Sequence, residues 1–106
     1  MKLYVVIETS GYYECTDEND HYSECIGVYD NFDACAKVIN AQIEKELKSV
    51  EQAQSLFQRE SKITDKHLCT KERYDAGYSV SGFEVNDGEI YRDYEIIEKE
   101  LNEEPY

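Results

Sequence analysis

Apolar residues recur at steps of three and four through the middle of the chain, and at steps of two near both ends. Phe32, Cys35, Ile39, Ile43, Leu47, Val50 and Phe57 make the first pattern, with Val38 beside it. That spacing returns to one face of an α-helix every 3.6 residues and predicts an amphipathic helical segment over residues 32–60. Asp30 or Asn31 supplies the cap, because either side chain accepts a bond from a free N–H of the first turn. Asp33 follows near the positive end of the helix dipole. An unbroken helix over this range would be about 43 Å long, whereas a domain of this length has a radius of gyration near ~13 Å. Either the helix breaks, for which Ser49-Val50-Glu51-Gln52 offers a capping box, or an overhang carrying Val50, Leu56 and Phe57 packs on a partner subunit.

The period-two stretches lie on either side. Over residues 2–9, Leu3, Val5 and Ile7 share one parity and Tyr4 and Val6 the other. Two apolar faces predict a central strand, or one covered on both sides. Ser10-Gly11 interrupts it, and a bulge at Gly11 would let Tyr12-Tyr13-Glu14-Cys15 continue the strand. A polar, acidic loop over residues 16–21 leads to a second strand at 22–29, with Ile26 and Val28 toward the core. Residues 61–75 read as a loop holding a short helix or strand, with Thr64-Asp65 as a turn cap. Strands return at 78–86 and 89–97. A parity switch at Ser81-Gly82 predicts a bulge in the first, and Asn86-Asp87-Gly88 a hairpin turn between them. Ile90, Tyr94 and Ile96 share a face of the second, and residues 98–106 form an acidic tail. The expected fold is α+β: one domain over residues 1–106, with an antiparallel sheet of about four strands in the order β-β-α-β-β. One long or broken helix packs on one face.

Charge changes this picture. The chain holds 24 Asp and Glu against 11 Lys and Arg, a net charge of −13. Residues 1–30 carry one Lys and seven acids, and residues 74–106 two basic residues and ten acids. Residues 31–73 carry eight basic residues and seven acids, so the excess sits almost wholly in the strands, turns and tail. Such a load disfavours direct nucleic-acid or anionic-membrane binding and attracts basic surfaces. Ten Tyr and three Phe are too many aromatics for a disordered acidic tail. Only five apolar residues, Leu3 to Ile7, precede Glu8, too few for a secretory or membrane segment. The expected location is the cytoplasm, and Cys15, Cys25, Cys35 and Cys69 are then expected to be reduced.

Catalytic and metal motifs are weak. His21 and His67 lie in no recognisable motif, although a cysteine paired with His67 is one arrangement to test. No C-x-x-C clip, calcium-loop spacing or Gly-rich phosphate loop is present, so no metal or cofactor is expected. Lys62, Lys66, Lys71 and Arg73 gather in the 61–75 loop, where they could hold a phosphate or simply balance the acids. The acids within strands and turns offer a different chemistry. Alternate strand residues project about 6.8 Å apart on one face. Asp93 and Glu95 form such a row, which neighbouring strands could widen; Glu84 also sits within a strand, and Asp87 and Glu89 at a turn. An acidic sheet of this kind presents repeated negative charge, as duplex DNA does. Tyr91, among these acids, supplies the amphipathic contact area that interfaces favour. The partner-binding set expected from sequence is therefore Glu84, Asp87, Glu89, Tyr91, Asp93 and Glu95. The plain alternative is an acidic face that only keeps the protein soluble.

Around Tyr4-Val5-Val6, Gly27-Val28-Tyr29-Asp30-Asn31-Phe32 and the stretch from Gly77 to Val85, the arrangement resembles small acidic phage and prophage accessory proteins. These include anti-CRISPR and other anti-defence inhibitors. The resemblance covers most of the chain apart from residues 48–76, and no functional residue carries over. It implies a non-catalytic inhibitor of a bacterial defence system, acting in the host cytoplasm. Its partner would be a basic nucleic-acid-binding protein such as a nuclease, engaged by DNA mimicry. Sequestration of a nucleotide immune signal, or a homo-oligomeric structural role with the helix as interface, are the alternatives it leaves.

Overall fold

The computed structural model describes residues 1–13, 19–78 and 80–100. The elements are β1 (Lys2–Tyr13), β2 (Asn19–Tyr29), α1 (Phe32–Leu56), β3 (Ile63–His67), α2 (Lys71–Asp75), β4 (Val80–Val85) and β5 (Ile90–Glu100). The strands form one antiparallel sheet in the order β2-β1-β5-β4-β3, and α1 packs on one face of it. The fold is α+β as expected, with five strands rather than about four. The extra strand is β3, in the stretch expected to be mainly loop. Ile63 is its only strong apolar residue and is itself exposed, so pairing with β4 rather than side-chain burial makes it a strand. The short helix α2 follows it, capped by Thr70 rather than by Thr64-Asp65, with the Arg73 N–H donating to Thr70 Oγ1 at 3.2 Å.

Helix α1 starts as its sequence indicates. Asn31 Oδ1 accepts from the Ala34 N–H at 2.8 Å, and Asp30 accepts from the Asn31 amide at 2.8 Å, orienting the cap. The helix does not break at Ser49. It runs 25 residues, about 37 Å. Val50 and Gln54 remain buried, so the sheet still supports the helix there. It stops at Leu56 rather than near residue 60. Gln58 takes a φ of +56°, and the Arg59 N–H reaches back to the Gln54 carbonyl at 2.9 Å, closing the last turn.

The core lies between α1 and the sheet. Cys35, Ile39, Ile43, Leu47 and Val50 meet Val6, Phe83, Val85, Tyr94 and Ile96, while Phe32 stacks on Tyr74 of α2 with ring centroids 4.8 Å apart. Strand β1 is interior to the sheet, between β2 and β5, in keeping with its two apolar faces, but only one face is covered by α1.

Two predicted bulges are absent. Gly11 sits in an unbroken ladder with β5, and the Tyr91 ring lies where a Cβ on Gly11 would project. The bulge in β1–β2 pairing falls instead between Val6 and Ile7. The β4–β5 register likewise runs unbroken from Val80↔Glu95 to Val85↔Ile90. At Gly82 φ is +151°, and a Cβ there would meet the Arg92 carbonyl oxygen at 1.9 Å. The glycine takes up locally what an inserted residue would otherwise absorb.

Candidate functional site

The antiparallel register fixes which acids share the face away from α1. Ser81, Phe83 and Val85 of β4 and Tyr94 and Ile96 of β5 are buried beneath the helix. By alternation, Glu84, Tyr91, Asp93 and Glu95 project from the opposite face. Glu84 pairs with Tyr91 on one side and Asp65 on the other; Gly82 pairs with Asp93 and His67. The carboxylates thus form a two-dimensional array, about 6.8 Å apart along a strand and about 4.8 Å between neighbouring strands. Glu84, Asp87, Gly88, Tyr91 and Asp93 line one open concavity of about 420 Å³.

The turn beside the array is held from two directions. Asn86 and Asp87 both take positive φ, 54° and 58°, as a hairpin turn requires. Asn86 is tied to the chain after α1: its N–H donates to the Lys62 carbonyl, its Oδ1 accepts from the Lys62 N–H, and its amide donates to the Glu60 carbonyl. The Asp87 N–H donates to Thr64 Oγ1 at 3.0 Å. Asp87 is therefore positioned by β3, an element that the apolar pattern does not reveal.

Burial raises the Asp93 carboxyl above its ordinary value of 3.8, and the neighbouring Glu84 and Asp65 carboxylates add to the effect. Among the described residues, Glu84, Asp87, Asp93 and Glu95 enter no ion pair. Four basic side chains pair with acids off this array: Lys66 with Glu44 at 2.6 Å, Arg92 with Glu46 at 3.6 Å, Lys2 with Glu98 at 3.4 Å, and Lys71 with Asp75 at 3.2 Å.

Of the six residues expected to bind a partner, Glu84, Asp87, Tyr91 and Asp93 meet in the concavity, and Glu95 stands on the same face opposite Ile7 of β1. Glu89 is drawn away, 3.8 Å from Arg59 beyond the end of α1. Asp65 belongs with the set but gives no sequence signal, since only its register opposite Glu84 brings it there. It also accepts from His67 Nε2 at 2.9 Å.

The remaining candidates are dispersed. Lys66 and Lys71 each face an acid, and the Arg73 guanidinium lies 5.2 Å from the Tyr78 ring centre. The Cys35 thiol is pushed up to about 11, first by burial and then by Cys69. Burial raises Cys69 as well, against an opposing bond from Ser81. Both thiols stay protonated at neutral pH and are poor nucleophiles there. Cys15 and the acidic residues Asp17 and Glu18 lie outside the described residues, and His21 lies on the β2 backbone opposite Gly11. Among the described residues, no group of three His, Cys, Asp or Glu is placed to hold a metal ion, and no helix is long and apolar enough to cross a membrane. Comparison of the chain with protein-family models, with curated proteins and with solved structures finds no match in any of the three.

Proposed function

We propose that this chain is a non-catalytic binding protein whose open sheet face occupies a basic, nucleic-acid-binding groove of a partner protein. The observation that carries this reading is the segregation of charge between the two faces. Glu84, Asp87, Asp93 and Glu95 stand together without cations, while nearby basic side chains pair with acids elsewhere. Like charges held together oppose folding. A basic partner would relieve that repulsion and draw on it for attraction. The rigid, regularly spaced array suits a groove that otherwise takes a phosphate backbone, and Tyr91 within it adds apolar contact. The resemblance to small phage accessory proteins makes inhibition of a bacterial defence nuclease the specific form of this proposal, acting in the host cytoplasm.

The test is capture of partners from bacterial lysate at low and high salt, with mass spectrometry of what is bound. A basic nucleic-acid enzyme released by salt is the expected result, because exposed charge contacts are screened. The combined variant Glu84→Gln, Asp87→Asn, Asp93→Asn and Glu95→Gln should weaken that binding by roughly 100-fold or more, with an unchanged circular dichroism spectrum. Binding unaffected by the four substitutions would overturn the proposal.

A further inference from the structure

The end of α1 is the second unusual surface. Leu56 and Phe57 are 82% and 76% exposed, adjacent, and at the last turn of an otherwise well-packed helix. Two turns earlier, a groove of about 230 Å³ opens between the helix and the start of β5, lined by Ser49, Val50, Ala53, Ile90 and Arg92. Ser49, Ala53 and Phe57 follow at intervals of four, so knob and groove share one flank of the helix. Ala53 lies midway between Ser49 and Phe57. Two such helices crossing antiparallel at Ala53 set Phe57 of one copy opposite Ser49 and the groove of the other, and the reverse. A surface that carries both knob and matching groove is self-complementary under a two-fold axis.

Charge selects the occupant. Most of the molecule repels a second copy, because residues 1–30 and 74–106 carry nearly all of the net −13. Residues 31–73, which contain α1, hold eight basic residues and seven acids. This is the region where two copies meet without a large like-charge penalty, whereas a basic partner is drawn to the opposite sheet face. Ala53, exposed at the crossing point, is small enough to let the helices approach closely.

We infer that the chain forms a two-fold homodimer by antiparallel packing of the C-terminal third of α1, with Phe57 of each copy seated in the groove of the other. The inference is independent of the binding reading. Sedimentation of the full chain should show a species of twice the chain mass. Phe57→Asp should weaken association on the order of 1000-fold, combining a hot-spot loss of roughly 30-fold at each of two equivalent sites. Phe57 is outside the core, so the thermal transition extrapolated to low concentration should not move. A second variant reads the geometry directly. In a Cys15→Ser, Cys25→Ser background, Ala53→Cys places a thiol near the two-fold axis, and mild air oxidation should give a disulfide-linked dimer; Lys37→Cys, far along the helix, should not. A wild-type chain that remains monomeric as concentration rises would overturn the inference. So would a dimer indifferent to Phe57→Asp, or one whose Ala53→Cys variant does not cross-link. Occupation of the groove by another segment of the same chain would appear as the first of these outcomes.

Discussion

The two faces of the sheet treat charge in opposite ways. On the face under α1, three acids meet partners: Glu44 takes Lys66, Glu46 takes Arg92, and Glu98 takes Lys2 and the Tyr74 hydroxyl. These contacts tie helix to sheet, or strand to strand, around a core of Ile39, Ile43, Phe83, Val85 and Tyr94. On the open face, Glu84, Asp93 and Glu95 stand along β4 and β5, and burial, with Glu84 and Asp65 adding to it, weakens the acidity of Asp93. The first arrangement serves folding. The second works against it, so it is better understood through what it can attract. The same net charge thus has two physical meanings, and only the partner of each carboxylate separates them.

Substitutions can break this contrast. The largest effect belongs to the covered face. Ile39→Ala, at a fully buried position, should cost about 2–5 kcal/mol in chemical denaturation. Glu84→Gln or Glu95→Gln on the open face should stay within about 0.5 kcal/mol of the wild type. Equal losses on both faces would erase the distinction. Next comes Gly82→Ala, since a Cβ there meets a backbone oxygen of β5. Relief would require moving the strand that carries Asp93, so a loss of at least about 2 kcal/mol is expected. The amide-exchange protection of β4 and β5 should fall with it.

A change that touches neither face calibrates the scale. Gln58→Gly removes a side chain from a left-handed position just after α1 and should stabilise the protein by up to about 1 kcal/mol. A loss of stability on urea titration would mean that the Gln58 side chain makes a contact worth more than its backbone strain.

The smallest and sharpest test is pH. Asp93 is held above its ordinary 3.8, so its favourable share is complete below that value and is lost as pH rises through the folded pKa. Asp93→Asn should therefore raise stability at neutral pH, and the gain should vanish in acid. Glu98 is held below its ordinary 4.5, chiefly by the Tyr74 hydroxyl and then by Lys2. Its contribution is present above 4.5 and disappears as pH falls through the lowered value. Glu98→Gln should therefore lower stability at neutral pH but not in strong acid. The two denaturation profiles should diverge from the wild type in opposite directions; divergence in the same direction would mean that the faces do not differ.

Much of the scaffold is legible residue by residue. The steps from Phe32 to Val50 mark a helix because a 3.6-residue period leaves one side to bury, and Asn31 marks its start because free N–H groups need an acceptor. Asn86-Asp87-Gly88 marks the hairpin because these residues accept positive φ. Strand β3 escapes such reading: Thr64, Asp65, Lys66 and His67 show no apolar alternation, and its hydrogen bonds come from β4, some twenty residues away. Asp65 is missed for the same reason. Glu89 is misassigned because nothing in the local sequence says that Arg59 comes within reach.

The residues by themselves determined the α+β class, the cap and course of most of α1, the hairpin turn and the concentration of negative charge outside the helix. Each of these depends on interactions within a few positions along the chain, or on composition alone. Tertiary structure decided which carboxylates acquire cations, which face of β1 stays open, where Asp65 stands, and that Leu56 and Phe57 protrude. Those outcomes depend on strand register and helix placement, which bring together residues distant in the chain, and Coulomb energy and burial respond to distance in space.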